Sequence, residues 1–460
     1  MPTIRESRFR SPRRYARRVL VLPVALVLLA LPRPAATATV YVDCSGGTTG
    51  AFTSINAALS SLTGPPPPVG DWDYVLLRSS CTENVVITGG RRVWVAPDGS
   101  QCPFSGCARS GQPLRIAAAS AGGDVVSISG PQDVTLVHLI LSGGSNGLSA
   151  AGNANVVTYD VTAEDNTGAG VSLGQGAALT FNEGGARRNG WYGIVVGQGA
   201  SGAVSGQLPW LHGQPVVLTA NRGGIWVDRG VLVGSAGITI ERNAGPGLVS
   251  FGGDVLWGAY LGETVIRNNQ GGVYLSEGSQ ASVWRSGAGV TTVSDNGSYG
   301  IYVEKNSHAS IFDVLVEGHT GVGVDAVMGS QVSLQGTRIR HNGSSSGADQ
   351  AGLRVDGNSQ ALLDGATEVT ENAGPGIVVD LNSSIDARAA VVNGNGGEGI
   401  RVRSRSVVTL DSGSSVTPNG GPPVTCDSLS NVISPVVNRS RACFNVTRPT
   451  QPRPVRPPQP

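Results

Sequence analysis

The sequence predicts an all-β protein, a parallel β-helix of about thirteen coils, because one short phrase recurs along most of the chain. An Asn is followed after three residues by a Gly and then by an apolar, any and apolar residue. Ten glycines mark strong copies: Gly170, Gly193, Gly224, Gly247, Gly272, Gly300, Gly323, Gly352, Gly376 and Gly399. Weaker copies at Gly123, Gly147 and residues 419–424 bring the count to about thirteen. A repeat of 20–50 residues indicates a stacked array.

Each repeat is predicted to contain three short strands, since it is too short for paired helices and rich in β-branched residues. After the Gly, runs such as residues 225–227 and 301–303 alternate, so the outer two residues point inward and the middle one outward. A second run follows a Ser, and a third precedes the next Asn. Each strand is expected to pair with its equivalents one coil above and one coil below.

The recurring Asn residues are predicted to form a structural ladder. Asn tolerates the left-handed backbone of tight turns. At a coil spacing of about 4.7–4.9 Å, stacked amides can hydrogen-bond to one another. A structural role is favoured over a functional one. The predicted members are Asn166, Asn189, Asn221, Asn243, Asn268, Asn296, Asn372 and Asn395.

The start of the chain has the anatomy of a secretory signal. Residues 5–18 are basic, residues 19–31 are apolar, and residues 36–38 form a small-residue cleavage site. The apolar run is too short to span a bilayer, so we expect a secreted or periplasmic protein without a transmembrane anchor. Removing eight Arg and one Glu, a net +7, changes the charge from +1 to −6. No basic block remains, which argues against a nucleic-acid partner.

The open ends of a solenoid expose strand edges and therefore need caps. A helix within residues 52–62 is the expected N-terminal cap: Ile55, Ala58, Leu59 and Leu62 share one face, with Thr53 or Ser54 as N-cap. The predicted organisation is a signal (1–38), an N-terminal cap with the first coils (39–122), the repeats (123–424), a C-terminal cap (425–447) and a Pro-rich disordered tail (448–460).

Six cysteines lie outside the strong repeats, which indicates disulfides in an exported protein. Fifteen connectivities are possible. We expect Cys44–Cys81, Cys102–Cys107 and Cys426–Cys443, pairs that staple the two ends. A zinc site is the alternative. It is disfavoured because no His stands at ligand spacing beside these cysteines, and no metal or cofactor is predicted.

The chain resembles the right-handed parallel β-helix proteins of the pectin-lyase-like superfamily over roughly residues 40–445. The segments 50–59 and 82–87 are similar to the first coil of that group, which includes pectin methylesterases. The resemblance implies the fold. It leaves activity open, because the superfamily holds lyases, glycoside hydrolases, esterases, epimerases and non-catalytic adhesins. Residues 132–136 resemble an esterase element but lack its partner motifs, and the carboxylate pairs of the hydrolases are missing.

The outward residues after each repeat Gly form a column in which aromatic side chains cluster. The column is Ser172, Val195, Trp226, Val249, Tyr274, Tyr302, Asp325, Arg354, Val378 and Arg401, and a parallel column adds Trp284 and Phe312. Rings at this spacing suit stacking on sugars, so we predict that Trp226, Tyr274, Tyr302, Trp284 and Phe312 bind a glycan. The alternative is an ordinary strand surface, since aromatic residues favour strands.

The longest repeat, from Gly193 to Gly224, contains an insertion at residues 207–215. Extra residues in a solenoid coil emerge as a loop on one face, often the binding face. Trp210 and His212 are therefore predicted to wall a groove beside Trp226. A loop that packs its own Trp, or neutral drift in length, is the alternative.

The catalytic candidates are limited to Asp325 and Arg354, expected one coil apart, where a structural ion pair is the favoured interpretation. Two functions follow. In the first, the chain is an exported monomer that binds a polysaccharide or cell-surface glycan. As an enzyme it would process that glycan by lyase or glycoside hydrolase chemistry. The second is a non-catalytic surface, adhesive or scaffold β-helix.

Overall fold

The computed structural model describes residues 38–63, 67, 71–99, 112–207, 213–259, 262–343 and 350–435, in which the chain is a solenoid of short strands. The first sheet has 14 strands: Val85–Ile87, Val126–Ser129, Leu148–Ala151, Val171–Leu173, Tyr192–Val196, Gly223–Asp228, Pro246–Phe251, Gly271–Ser276, Tyr299–Val303, Val322–Ala326, Leu353–Val355, Ile377–Val379, Ile400–Val402 and Val424–Cys426.

The second sheet, which wraps the other sides of the solenoid, has 27 strands among the described residues. They are Ala38–Val42, Asp73–Leu77, Cys81–Thr82, Arg92–Pro97, Leu114–Ala117, Asp133–Val137, Leu139–Ser142, Asn155–Glu164, Ala178–Arg187, Ser201–Ser205, Val216–Thr219, Val231–Gly234, Ile238–Glu241, Asp254–Ala259, Glu263–Arg267, Gln280–Arg285, Val290–Ser294, His308–Phe312, Leu315–Glu317, Gln331–Gln335, Arg338–Arg340, Gln360–Asp364, Glu368–Thr370, Ser384–Ala387, Val391–Asn393, Val407–Leu410 and Asn431–Ile433.

Neighbouring strands pair in parallel and in register from coil to coil, so equivalent residues form straight columns. Trp226, for example, pairs with Val249, and Val249 pairs with Tyr274. One strand of the first sheet per coil gives about fourteen coils in the described residues, one more than predicted. The uncounted coil contains Val85–Ile87, which follows Asn84 instead of the repeat Gly and so carried no recognisable marker.

The bore of the solenoid is filled by the inward residues of each strand. Ile225, Val227, Ile301 and Val303 are all fully buried, which confirms the predicted alternation. They belong to one continuous apolar cluster that runs along the described coils. Burying each such side chain contributes about 1.5–3 kcal/mol. Because these inner residues maintain the fold, the outward residues are free to differ from coil to coil.

A single short helix, Ile55–Ser61, lies at the N-terminal end, and Ser54, not Thr53, is its N-cap. The Glu83 carboxylate accepts hydrogen bonds from the backbone N–H groups of Ile55 and Asn56, where negative charge suits the helix dipole. The Asn56 side chain bonds to the backbone of Asn84 and Val86 in the outermost strand of the first sheet. The wider N-terminal cap stays a prediction.

The disulfide Cys44–Cys81 is formed, with its Cα atoms 5.2 Å apart, which confirms one of the three predicted pairs. Cys102, Cys107 and Cys443 lie outside the described residues. Cys426 has a partner, but its predicted pairing with Cys443 stays untested. In the described part of the chain, no helix has the length and apolar character needed to cross a membrane. Nearly all of the predicted signal and the whole tail lie outside that part.

Candidate functional site

A ladder of buried side chains fixes the turn that precedes each strand of the first sheet. In a regular rung, Oδ1 accepts hydrogen bonds from both the backbone N–H and the side-chain amide of the preceding Asn. The Asn189 Oδ1, for example, lies 3.2 Å from Asn166 N and 3.0 Å from Asn166 Nδ2. The rungs are Asn166, Asn189, Asn221, Asn243, Asn269, Asn296, His319, Asn342, Asn372, Asn395 and Asn419.

The ladder includes four rungs outside the predicted list: Asn269, His319, Asn342 and Asn419. Asn419 belongs to the weaker copy of the repeat at residues 419–424. Asn269 occupies the slot predicted for Asn268, which is exposed and has a φ of 54°. Asn268 fits the phrase, with three residues before Gly272, whereas Asn269 stands one residue closer to the Gly, as Asn221 does to Gly224. Asn342 was missed because it stands ten residues before the repeat Gly, Gly352, instead of four. His319 stands in a position that is Asn in every other rung of the described ladder.

Seven aromatic rings, which we call the aromatic array, form a continuous chain of contacts on the outer face of the first sheet. The array comprises Trp191, Tyr192, Trp226, Phe251, Tyr274, Tyr299 and Tyr302. Neighbouring ring centroids are between 4.7 Å and 6.4 Å apart. Such pairs attract one another beyond their buried area. Three of these rings, Trp226, Tyr274 and Tyr302, stand where the sequence predicted them.

Two tyrosines of the array occupy space left by glycines in the neighbouring coil. A Cβ on Gly223 would overlap the Tyr192 ring, and a Cβ on Gly271 would lie 2.5 Å from the Tyr299 ring. Both tyrosines directly precede a repeat Gly. Both lie outside the predicted column, which comprises only the second residue after each repeat Gly. The available signal was that each Tyr at this position has a Gly at the equivalent position one coil away.

The two ends of the array present different surfaces. Tyr274 and Tyr302 are stacked, with an interplanar angle of 2° and centroids 5.6 Å apart, so these two rings cover each other's faces. At the other end, the rings of Trp191 and Tyr192 meet at 85°. Trp191 is 36% exposed, whereas the other six rings are half-buried or buried. A ligand would therefore meet indole surface at one end and phenol edges at the other.

A buried carboxylate, Glu304, anchors the tyrosine end of the array. It accepts hydrogen bonds from Tyr274 Oη at 2.6 Å and Ser276 Oγ at 3.0 Å, and Lys305 Nζ lies 3.5 Å away. Burial opposes the charge of Glu304, but these three donors hold its pKa below the usual value. Burial and the bond to Glu304 raise the pKa of Tyr274 to about 12, so this phenol stays a hydrogen-bond donor at neutral pH.

Asp325 and Arg354 follow the array in the same column and form a two-pronged ion pair. Arg354 Nε lies 2.8 Å from Oδ1 of Asp325, and Nη2 lies 2.5 Å from Oδ2. Only 2% of Asp325 is exposed, and its burial raises the carboxyl pKa against the opposing effect of Arg354. With both oxygens held by one guanidinium, Asp325 is not free to act as an acid, base or nucleophile. The geometry agrees with the structural interpretation of this pair.

Of the remaining predicted binding residues, the two that the structure describes, Trp284 and Phe312, do not join the array. Trp284 and Phe312 pair with each other in the second sheet, where the Trp284 ring lies over Gly258. Among the described residues, no ring contact links them to the first sheet. Trp210 and His212 lie outside the described residues, so the groove wall stays a prediction. The described part of the chain has one cluster of potential metal ligands, Cys44, Cys81 and Glu83. Its two cysteines form a disulfide, so their sulfurs are not thiolate ligands.

The comparison with protein families agrees with this architecture. The family model described as "Right handed beta helix region" matches residues 257–416. A search of curated proteins gave no match. Among solved structures, tailspike protein 3 of bacteriophage CBA120 is 12% identical with a TM-score of 0.35, and the alignment covers 87% of this chain and 62% of that one.

Two further solved structures are similar to the chain at low identity. The A-module of the mannuronan C-5 epimerase AlgE6 of Azotobacter vinelandii is 13% identical, with a TM-score of 0.24 and coverage of 84% of this chain and 94% of that one. The GH136 lacto-N-biosidase from Eubacterium ramulus is 9% identical, with a TM-score of 0.20 and coverage of 86% and 68%.

Proposed function

We propose that this chain, a right-handed β-helix repeat protein, is exported and binds polysaccharide along the aromatic array. The observation that carries the proposal is the unbroken contact of seven rings on one outer face. Aromatic side chains offer a rigid apolar surface with a polar edge, which matches the mixed apolar and hydroxyl faces of a sugar chain. Contiguous apolar surface of this kind marks interaction sites.

The confinement of the array to a few coils supports binding over an ordinary strand surface. In the coils before the array, the same column holds Ser127, Ser149 and Ser172. After the array it holds Asp325 and Arg354. If aromatic residues stood here only because they suit strands, they should recur along the whole column. Instead, the other coils carry no aromatic residue at the equivalent positions, which hold Val86, Val378 and polar or charged side chains.

We further propose that binding does not require catalysis by this surface. Glu304 accepts hydrogen bonds from two hydroxyls, and Asp325 is held by Arg354. An acid–base mechanism needs a carboxyl group able to exchange a proton with the substrate.

The scaffold alternative is favoured by one observation: the rings also contact each other, and each cross-strand pair contributes about 0.2–1 kcal/mol to the sheet itself.

A glycan array probed with the purified chain, followed by affinity measurement on a glycan that binds, tests this proposal. Trp226→Ala should weaken binding by about 1–3 kcal/mol, by analogy with base stacking on aromatic side chains. Trp284→Ala is the matched control, since this half-buried Trp lies in the second sheet. Its affinity should stay within about twofold of the original. Equal losses in both variants, or no glycan bound, would support the scaffold alternative.

A further inference from the structure

The ladder contains one histidine, and its ring is held in a single protonation form by two backbone groups. His319 is 1% exposed. Its Nδ1 lies 3.1 Å from the backbone N of Asn296, and its Nε2 lies 3.1 Å from the backbone O of Val293. The first contact requires Nδ1 to accept, because a backbone N–H can only donate. The second requires Nε2 to carry the proton.

The histidine rung makes fewer hydrogen bonds than an asparagine rung. In regular rungs the side-chain amide donates to the next Oδ1, as Asn372 does to Asn395 at 2.9 Å. Here the side-chain amide of Asn296 donates to the backbone O of Ile266 but not to the His319 ring. The His319 ring has no N–H left for Asn342 Oδ1, which among the described residues accepts only the His319 backbone N–H. Two side-chain links of a regular ladder are therefore missing here.

The same ring packs directly beneath the tyrosine end of the aromatic array. A Cβ on Gly300 would lie only 2.6 Å from His319 Nε2. Gly300 stands between Tyr299 and Tyr302, which belong to the array. The neutral His319 ring therefore contacts the turn that starts at Asn296 and leads into the strand carrying both tyrosines.

We propose that His319 is an acid-sensitive switch of the aromatic array, which loosens the segment 296–303 when the ring takes up a second proton. A proton on Nδ1 would face the Asn296 N–H, so two donors would oppose each other and a hydrogen bond would be lost. The new charge would also be buried. Release of Tyr299 and Tyr302 would weaken a bound glycan at acid pH, a consequence that rests on the proposed function.

The charged groups around this ring do not stabilise its protonated form enough to prevent the switch. Asp295 is the carboxylate whose field reaches His319 and favours the proton. On the flanking coils, Glu317 pairs with Arg340 at 2.8 Å and His341 pairs with Glu371 at 2.8 Å. Burial dominates and lowers the pKa of His319 to about 4, so the neutral form is kept at pH 7 and lost under acid conditions.

Amide hydrogen exchange of the full chain between pH 7 and pH 4, corrected for intrinsic exchange rates, tests the switch without any glycan. The segment 296–303 is compared with 372–379, an equivalent turn and strand whose rungs are all Asn. We expect protection of 296–303 to fall at least about tenfold relative to 372–379 on acidification. In His319→Asn, which restores a regular rung, the two segments should change in parallel.

Parallel behaviour of the two segments in the unmodified chain, or the same selective loss in His319→Asn, would overturn the switch. The unmodified chain is decisive alone, so the test does not depend on how the variant folds. A chain that binds no glycan but shows the selective loss would reject the proposed function and keep the switch. A chain that binds glycan with equal affinity at pH 7 and pH 4, and shows no selective loss of protection, would reject the switch and keep the proposed function.

Discussion

The outer face of the first sheet has two halves built on the same backbone, one aromatic and one charged. In both, a repeat Gly is followed by two buried residues that flank one outward position, and the strands pair in the same register. In the aromatic half the outward positions carry rings that contact each other. In the charged half, ion pairs join Asp325 to Arg354, Glu398 to Arg401 and Asp380 to Arg403.

The difference shows that the solenoid separates folding from surface chemistry. Inner residues fill the bore in both halves, and the ladder is Asn in both apart from His319, so neither accounts for the change outside. The charged half neutralises itself, since each of these carboxylates has a guanidinium within 2.8 Å. In the aromatic half, Trp191 contacts the rings of Tyr192 and Trp226 but keeps 36% of its surface exposed to solvent. This difference supports the proposal that the aromatic half binds an external partner.

The largest expected effect is in the charged half. Arg354→Met would leave the buried Asp325 carboxylate without its cation and should cost about 3–5 kcal/mol at pH 7. The loss should shrink at pH 4, because burial raises the pKa of Asp325 and favours the neutral carboxyl. Urea unfolding followed by circular dichroism at both pH values measures this.

Arg401→Met is the matched control, since Arg401 and Glu398 are each 20% exposed. A more solvated pair should contribute about 0–1 kcal/mol. Equal destabilisation by the two substitutions would show that burial does not distinguish the pairs.

A smaller effect should separate the histidine rung from the asparagine rungs. The pKa of His319 is lowered from 6.5 to about 4, so its stabilisation is present above pH 6.5 and is lost as the pH falls toward 4. The gap between these values corresponds to about 3 kcal/mol. In His319→Asn this loss should disappear, and melting temperatures from pH 7 to pH 4 report it. The same slope in both proteins would contradict the assignment.

The smallest effect concerns the anchor of the aromatic half. Glu304→Gln keeps an acceptor for Tyr274 but removes the charge, so the cost in stability should be about 1 kcal/mol. The clearer signal is the phenol, whose pKa should fall from about 12 toward 10. NMR of ring-labelled tyrosine measures it, with exposed Glu277→Gln in the same coil as control. An unchanged Tyr274 titration would argue against the bond to Glu304.

Glu304 should also give a pH dependence of its own. Its pKa is below the ordinary 4.5 in the folded chain, so its stabilisation is present above pH 4.5 and is lost as the pH falls below that value. Glu304→Gln should remove this acid limb while leaving the effect of His319 in place.

The fold and the outward column could be predicted because both depend on local periodicity. Alternation of two fixes which residues face inward, and the repeat Gly fixes the register, so Trp226 and Tyr302 could be assigned to one column. The lateral contacts could not. Trp284 has the same spacing along the axis, but periodicity does not tell on which side of the solenoid a strand lies. Tyr192 and Tyr299 enter the array only because a glycine stands beside each ring.

That pairing of ring and glycine has a consequence for transplanting the surface. Tyr192 and Gly223 occupy one shared volume, as do Tyr299 and Gly271. A tyrosine moved alone to another coil would collide with the side chain already there, and an alanine placed at Gly223 would push the native ring out of its contacts. To transfer this surface, two coils must therefore be moved together, because the glycine in one coil is as necessary as the tyrosine of the next coil that packs over it.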